Sequence, residues 1–279
     1  MATTTGGLVA PKITKCSSMI SLRRSLGMST KELSMVPSRP IVSPTLSTPL
    51  VIGVNGGVAP LEKDYHSLEY KFQQSYWRVF SAKSTFGNNE VSVLVWEKKN
   101  NNRAPPKLSN KKGFSILELS KYDLSQLGPL QHPRLLHIFH HMEETKEYLA
   151  FASELLVSTL ETVVKNESID RLEIKLGVLQ IIDGVSYLHN SAKILHGNLN
   201  PDAIYVTSMR AWKIGSLGFA VNAKEPNQYP CYPWTKKLPP VLQPDLDFLA
   251  PENLQAGQTT VTSGADVFSL GVLICWIYS

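Results

Sequence analysis

The sequence predicts an α+β chain, a small β-rich part followed by a mainly helical one, behind a polar tail. Residues 1–62 are rich in Ser, Thr and Pro. Lys12, Lys15, Arg23, Arg24, Lys31 and Arg39 there face a single acid, Glu32, before residue 62. Such a segment has too little apolar surface to offset the entropy of ordering it, so a disordered tail is expected. Beyond it, Trp77-Arg-Val-Phe80, Val91-Ser-Val-Leu-Val-Trp96 and Tyr148-Leu-Ala-Phe-Ala152 are short runs of β-branched, aromatic and small apolar residues and read as strands. From about residue 155 the apolar spacing changes to three and four, at Leu172, Leu176, Leu179, Ile182 and Val185, which makes one face of a helix.

At 279 residues the chain suffices for one sizeable domain or two small ones. The net charge of +5 comes largely from the tail, and no basic stripe with interleaved aromatics appears, so no nucleic-acid partner is expected. The tail is also Ser-rich, basic and acid-poor in the manner of an organellar transit segment, which is the alternative to plain disorder. Cys16, Cys231 and Cys275 are scattered, which suggests neither a disulfide framework nor a zinc site and fits a reducing compartment. No apolar run reaches the roughly 18–20 residues that cross a bilayer, and Val267 to Tyr278 reads as a buried helix.

Taken in order, the first lobe is expected over 63–153. Gly87-Asn-Asn89 turns between two of its strands, and Lys98 to Lys112, with Pro105-Pro106, is a polar loop. Ser115 to Leu130 has helical apolar spacing at Leu117, Leu124 and Leu127, and Gly128-Pro129 ends it. Asp123 on that helix reads as a solvated acid. His137, His140 and His141 tempt a metal reading, but no Cys or acid set completes one, so they read as surface or strand-end residues. The second lobe is expected over 154–279. Its long helix ends near Leu188-His189. Residues 222–248 carry Pro226, Pro230, Pro233, Pro239, Pro240 and Pro244, which oppose regular structure. Ser263 is placed to cap the last helix.

The stretch with most information is Ile194-Leu-His-Gly-Asn-Leu-Asn-Pro-Asp-Ala-Ile204, followed by Ala211-Trp-Lys-Ile-Gly-Ser-Leu-Gly-Phe219. It resembles the catalytic core of a protein kinase, in which H-R-D-L-x-x-x-N is followed by D-F-G. His196 and Leu199 stand in register. Gly197 replaces the Arg, Asn198 the Asp, Ala203 the metal-binding Asn, and Ser216-Leu217-Gly218 the D-F-G. Asn198 is no base at neutral pH, and losing a positioned base costs on the order of 10²–10⁴ in rate. Ser216 offers magnesium one neutral hydroxyl and Ala203 nothing, whereas a kinase holds its two ions with an Asp and an Asn. Val91-Ser-Val-Leu94 matches V-A-I-K and puts apolar Leu94 where the phosphate-binding lysine belongs. The window for a glycine-rich phosphate loop reads Glu69-Tyr-Lys-Phe-Gln-Gln-Ser-Tyr-Trp77, without glycine; Gly53, Gly56 and Gly57 lie too far upstream and read as linker.

Further landmarks agree with the kinase likeness. His132-Pro-Arg-Leu-Leu136 resembles H-P-N-I-V, Glu154 sits where the hinge begins, Leu249-Ala-Pro-Glu252 contains A-P-E, and Ala265-Asp-Val-Phe-Ser-Leu-Gly271 resembles the start of the helix that kinases call αF. The resemblance implies a two-lobed protein-kinase-like fold with a small β-rich N-lobe and a helical C-lobe truncated after αF. It implies structural roles for His196, Gly218, Glu252 and Asp266, with Asp266 bracing the catalytic-loop backbone. Glu252 would lack the basic partner that a complete C-lobe supplies. Gly197 removes the Arg that would bind an activation-loop phosphate, so switching by phosphorylation of that loop is not expected.

In combination, these motifs with Trp77-Arg-Val-Phe-Ser-Ala82 and Glu90 to Lys99 resemble the SCY-like pseudokinases, and among them the clathrin-linked, coated-vesicle-associated branch. That likeness implies a catalytically weak or dead domain acting as a scaffold in clathrin-linked traffic between endosomes and Golgi. It also implies clathrin or adaptor proteins as partners, a cytoplasmic and vesicle-associated location, and membrane contact only through those partners. ATP and magnesium are not expected as cofactors. The alternative function is an atypical ATP-binding protein kinase with weak Ser/Thr phosphotransfer.

Overall fold

The computed structural model describes residues 60–87, 89–98, 115–167, 169–255 and 257–279. The tail up to residue 59, the Gly53–Gly57 cluster and most of the expected 98–112 loop lie outside the described residues. The described residues from Pro60 to Ile277 belong to one compact unit.

A short helix, α1 (Pro60–Asp64), opens the described chain and runs directly into β1 (Tyr65–Gln74). It begins inside the segment that the composition assigns to the tail. Leu61 is only 3% exposed, packed with Tyr65, Phe80 and Val93, and its backbone N–H donates to Glu143 Oε2 at 2.9 Å. One anchored leucine escapes any reading of average composition.

β1 pairs antiparallel with β2 (Trp77–Ser84), and β2 with β3 (Glu90–Glu97). With β4 (Ile138–Glu144) and β5 (Tyr148–Ser153) they form a five-stranded sheet of order β1-β2-β3-β5-β4. Gly87 turns between β2 and β3 at φ +83°, where a side chain would be strained. Helix α2 (Ile116–Leu127) starts with a capping box, in which Ser115 and Glu118 each satisfy the other's backbone N–H. It stops at Gly128, ahead of Pro129.

The second lobe begins with β6 (Leu156–Thr159) and α3 (Leu160–Asn166). The long helix α4 (Arg171–Tyr187) is capped by Asp170, whose carboxylate accepts from Leu172 N–H. A single π turn, Leu188–Ala192, ends it, with Lys193 in the left-handed region. The two-residue β7 (Ile194–Leu195) precedes a loop, and β8 (Ile204–Thr207) and β9 (Trp212–Ile214) complete a three-stranded sheet of order β6-β8-β9. The proline-rich stretch contributes two-residue strands and one 3-10 turn, Pro240–Leu242. β10 (Val221–Asn222) pairs with β7, and β11 (Tyr229–Pro230) pairs with β12 (Thr260–Val261). Helix α5 (Gly264–Ile277) follows. The hydroxyl at its start is that of Thr262, which accepts from Gly264 N–H at 3.2 Å, and not that of Ser263.

α4 turns a different face inward from the one its leucines suggested. Leu172, Leu176, Leu179 and Ile182 are 62%, 51%, 60% and 42% exposed. The buried stripe is Gly177, Ile181, Gly184 and Val185. A Cβ on Gly177 would stand 2.2 Å from the Trp212 ring, and one on Gly184 2.7 Å from Ile214 Cδ1. Two glycines thus bring the helix close to β9, and the helix rolls toward its flattest side.

One core cluster unites the two lobes, with Trp77, Leu94 and Phe151 from the sheet, and Ile181, Ile204 and Trp212 from the second lobe. Their junction is stitched by the backbone: Leu136 N–H donates to Ile214 O and Ile214 N–H to Arg134 O, both at 2.8 Å. This is a two-lobed kinase-like fold, a β-rich sheet followed by a mainly helical part.

Candidate functional site

The cleft between the lobes is framed by the loop after β7, the turn after β9, and the β1–β2 hairpin. Asp266, at the first turn of α5 and almost fully buried, organises the loop. Its two carboxylate oxygens accept the backbone N–H groups of His196 (2.7 Å) and Gly197 (2.9 Å), and one of them is also 2.8 Å from His189 Nε2. The His196 ring lies beneath. Its Nε2–H donates to Gly215 O at 3.0 Å, and its bare Nδ1 accepts from Asn198 N–H at 3.2 Å. A carbonyl only accepts and an amide N–H only donates, so the partners fix a neutral tautomer. Burial pushes the imidazole below its ordinary pKa in the same sense. Gly197 has φ +73°, and a Cβ there would meet Phe219 O at 2.7 Å.

Asn198 occupies the position of a kinase's proton acceptor. Its Oδ1 accepts from Asn200 Nδ2 at 3.1 Å and from the backbone N–H of Asp245 at 2.8 Å. The proline-rich segment thus reaches back onto the loop. It is braced by buried Gln243, which bonds Thr235 N–H and Leu238 O. Ala203 is buried and brings no ligand; its N–H is taken by Asn200 Oδ1. Ser216 stands at φ +58°, and Gly218 follows in a 3-10 turn (Leu217–Phe219), packed against Leu119 of α2. Leu94 is wholly buried, paired across the sheet with Val79 and Phe151. Among the described residues, no cation stands within ion-pair distance of Glu252. Glu154, at the lobe junction, pairs with Lys213 at 3.0 Å and accepts from His137 N–H.

Three further residues complete the site: Gln74 and Tyr205, which motif spacing does not single out, and Asp123, which falls about where the lysine-pairing Glu of a kinase αC helix would sit. Gln74, the last residue of β1, is buried and reaches across the cleft. Its Nε2 donates to Ser216 Oγ at 3.0 Å and to Asp202 O at 2.9 Å, and its Oε1 accepts from Tyr205 O–H at 2.7 Å. Tyr205 is fully buried and Gly215 lies against its ring. Asp123 is the third, and the structure corrects its reading as a solvated acid. It is 4% exposed and accepts from Leu217 N–H at 2.6 Å, and its carboxylate also takes hydrogen bonds from Trp77 and Tyr76. Burial pushes its carboxyl up to about 7, although all three donors pull the other way. With Leu94 in the lysine position, N–H and O–H dipoles serve Asp123 where a cation would otherwise be required. The lack of glycine over 69–77 and the acid facing Leu94 in place of a lysine are both legible in the sequence, but neither announces that Gln74 crosses the cleft or that Asp123 is buried.

These residues do not suit a magnesium–nucleotide. The hydroxyl at Ser216 is already engaged by Gln74, Ala203 has no donor atom, and the hairpin side chains that ought to be absent point inward. Among the described residues, no group of three or more His, Cys, Asp or Glu side chains could hold a metal. His140 approaches Asp64 at 3.5 Å and sits edge-on to Tyr65, while His137 sits edge-on to Phe139. Among the described residues, no helix is long and apolar enough to cross a membrane.

The family model described as "Protein kinase domain" matches residues 75–279. The chain belongs to the protein kinase domain family. Within it the chain is similar to SCY1-like proteins. It is 30% identical over 221 residues to human SCY1-like protein 2, covering 73% of this chain and 23% of that protein. It is 33% identical over 234 residues to the Schizosaccharomyces pombe protein kinase domain-containing protein ppk32, covering 76% and 31%. It is 28% identical over 156 residues to a Dictyostelium discoideum protein named "Probable inactive serine/threonine-protein kinase scy1", covering 55% and 17%. The chain therefore spans less than a third of the length of each of these relatives.

Proposed function

We propose that this kinase-family domain transfers no phosphoryl group and acts as a protein-interaction scaffold. Phosphoryl transfer depends on positioning and on neutralising charge. Here the four positions that would do so hold Leu94, Asn198, Ala203 and Ser216. The observation that carries this reading is Gln74, whose buried side chain spans from the hairpin to Ser216, Asp202 and Tyr205 with three hydrogen bonds. The name of the Dictyostelium relative supports the same reading. Incubating the purified chain with labelled ATP and either magnesium or manganese tests it, and no incorporation is expected. Incorporation that disappears on Asn198→Ala or Ser216→Ala would establish the rival, a protein kinase of unusual geometry. A ligand at 100 times its Kd stabilises a fold by about 2.7 kcal/mol, so a flat melting curve with ATP analogues is the second expected result.

The setting proposed for the scaffold is clathrin-linked vesicle traffic between endosomes and Golgi, in the cytoplasm. Clathrin or adaptor proteins would be its partners, and membrane contact would be indirect. The SCY1-like similarity and the motifs shared with that family support it. Co-sedimentation of the chain with assembled clathrin coats is the direct measurement. Equal recovery with and without coats would remove the trafficking role and leave the scaffold reading standing.

A further inference from the structure

A kinase cleft is bridged by its ligand, because phosphates and magnesium touch both lobes. In this chain Gln74 touches three separate points of the second lobe. These are Asp202 O beside the loop, Tyr205 on β8, and Ser216 after β9. A second set of bonds lies alongside, where Asp123 of α2 receives Leu217 N–H from that same turn and side-chain bonds from Tyr76 and Trp77 of the hairpin. The hairpin, α2 and the 216–219 turn are therefore linked pairwise through buried and half-buried polar groups.

We propose that Gln74 is a built-in tie that replaces the nucleotide as the bridge between the lobes, so that the cleft is held shut without any ligand. This rests on the reading that the cleft takes no nucleotide. Each bond of the carboxamide is modest in net terms, but breaking one strands a buried donor or acceptor, which costs more than the bond itself contributes. Opening the hairpin alone would break all three Gln74 bonds at once, among them the buried one from the Tyr205 hydroxyl. The hairpin and the turn then open as one cooperative unit. A ligand-closed cleft has two populations that ligand redistributes. A self-tied cleft presents partners with one surface, whatever the nucleotide level.

Hydrogen exchange on the full chain, read over residues 70–80, 214–220 and 175–186, tests the tie. Gln74→Ala should accelerate exchange in the first two windows together and leave the third, in α4, unchanged. Tyr205→Phe, which keeps the ring and removes one hydrogen bond, should do the same by about fivefold. It settles the matter if Gln74→Ala does not fold. Acceleration confined to the hairpin, or none with either variant, would overturn the tie while leaving the inactive reading intact. Protection of the wild-type hairpin by magnesium–ATP would instead overturn both.

Discussion

At the scale of single residues, burial decides what the chemistry allows. Asp123 holds its proton up to about pH 7, well above the ordinary carboxylate value of about 3.9. The folded state thus binds this proton more tightly than the unfolded state. Its contribution to stability is fully present below about pH 4 and is lost as pH rises through 7, with a slope of at most ~1.4 kcal/mol per unit. Buried His196, whose pKa is lowered, acts in the opposite direction, so the comparison must be between variants. Asp123→Asn should remove a falling component from the stability profile between pH 4.5 and 7.5, measured by urea midpoints; an unchanged profile would refute this. Gly177 offers a second test. Alanine gains about 1 kcal/mol over glycine within a helix. Here its methyl would lie 2.2 Å from the Trp212 ring, so the clash dominates. A net loss of about 3 kcal/mol is expected for Gly177→Ala by chemical denaturation.

At the scale of elements, the loop after β7 depends on one side chain from another helix. Asp266→Ala would leave the buried His196 N–H and the half-buried Gly197 N–H without acceptors. A loss of about 3–5 kcal/mol is expected in urea unfolding, and less for Asp266→Asn, which retains one acceptor oxygen. The strands at 77–84, 90–97 and 148–153 were legible because β-branched and aromatic runs mark them. The α4 helix was legible as a helix but not in its orientation. It carries apolar side chains on two opposite faces, with Ile174, Val178 and Ile181 opposing the leucines, so spacing alone could not choose between them. The Gly177 and Gly184 pair, which chose it, carries no hydrophobic signal. β1 was missed because its side chains are mostly polar and exposed, and its one decisive residue, Gln74, acts on partners 128 to 142 positions away. No local pattern can announce such a partner.

At the scale of the molecule, the leucine stripe on α4 remains uncovered among the described residues. Contiguous exposed apolar surface promotes association. Replacing Leu176 with Lys and Leu179 with Glu should reduce concentration-dependent self-association in sedimentation velocity and move stability by no more than ~0.5 kcal/mol. Stability loss on the scale of a core substitution would contradict the outward orientation of this stripe. On the proposed inactive reading, the crossing of the cleft by Gln74 also bears on how chemistry could be installed. Ser216→Asp supplies the acid of the kinase D-F-G motif, yet it hands the Gln74 amide a charged acceptor in place of the hydroxyl that stands 3.0 Å away. The expected result is a higher melting temperature and still no turnover. Repair at this position alone then acts as a ratchet, tightening the plug that keeps the other three idle.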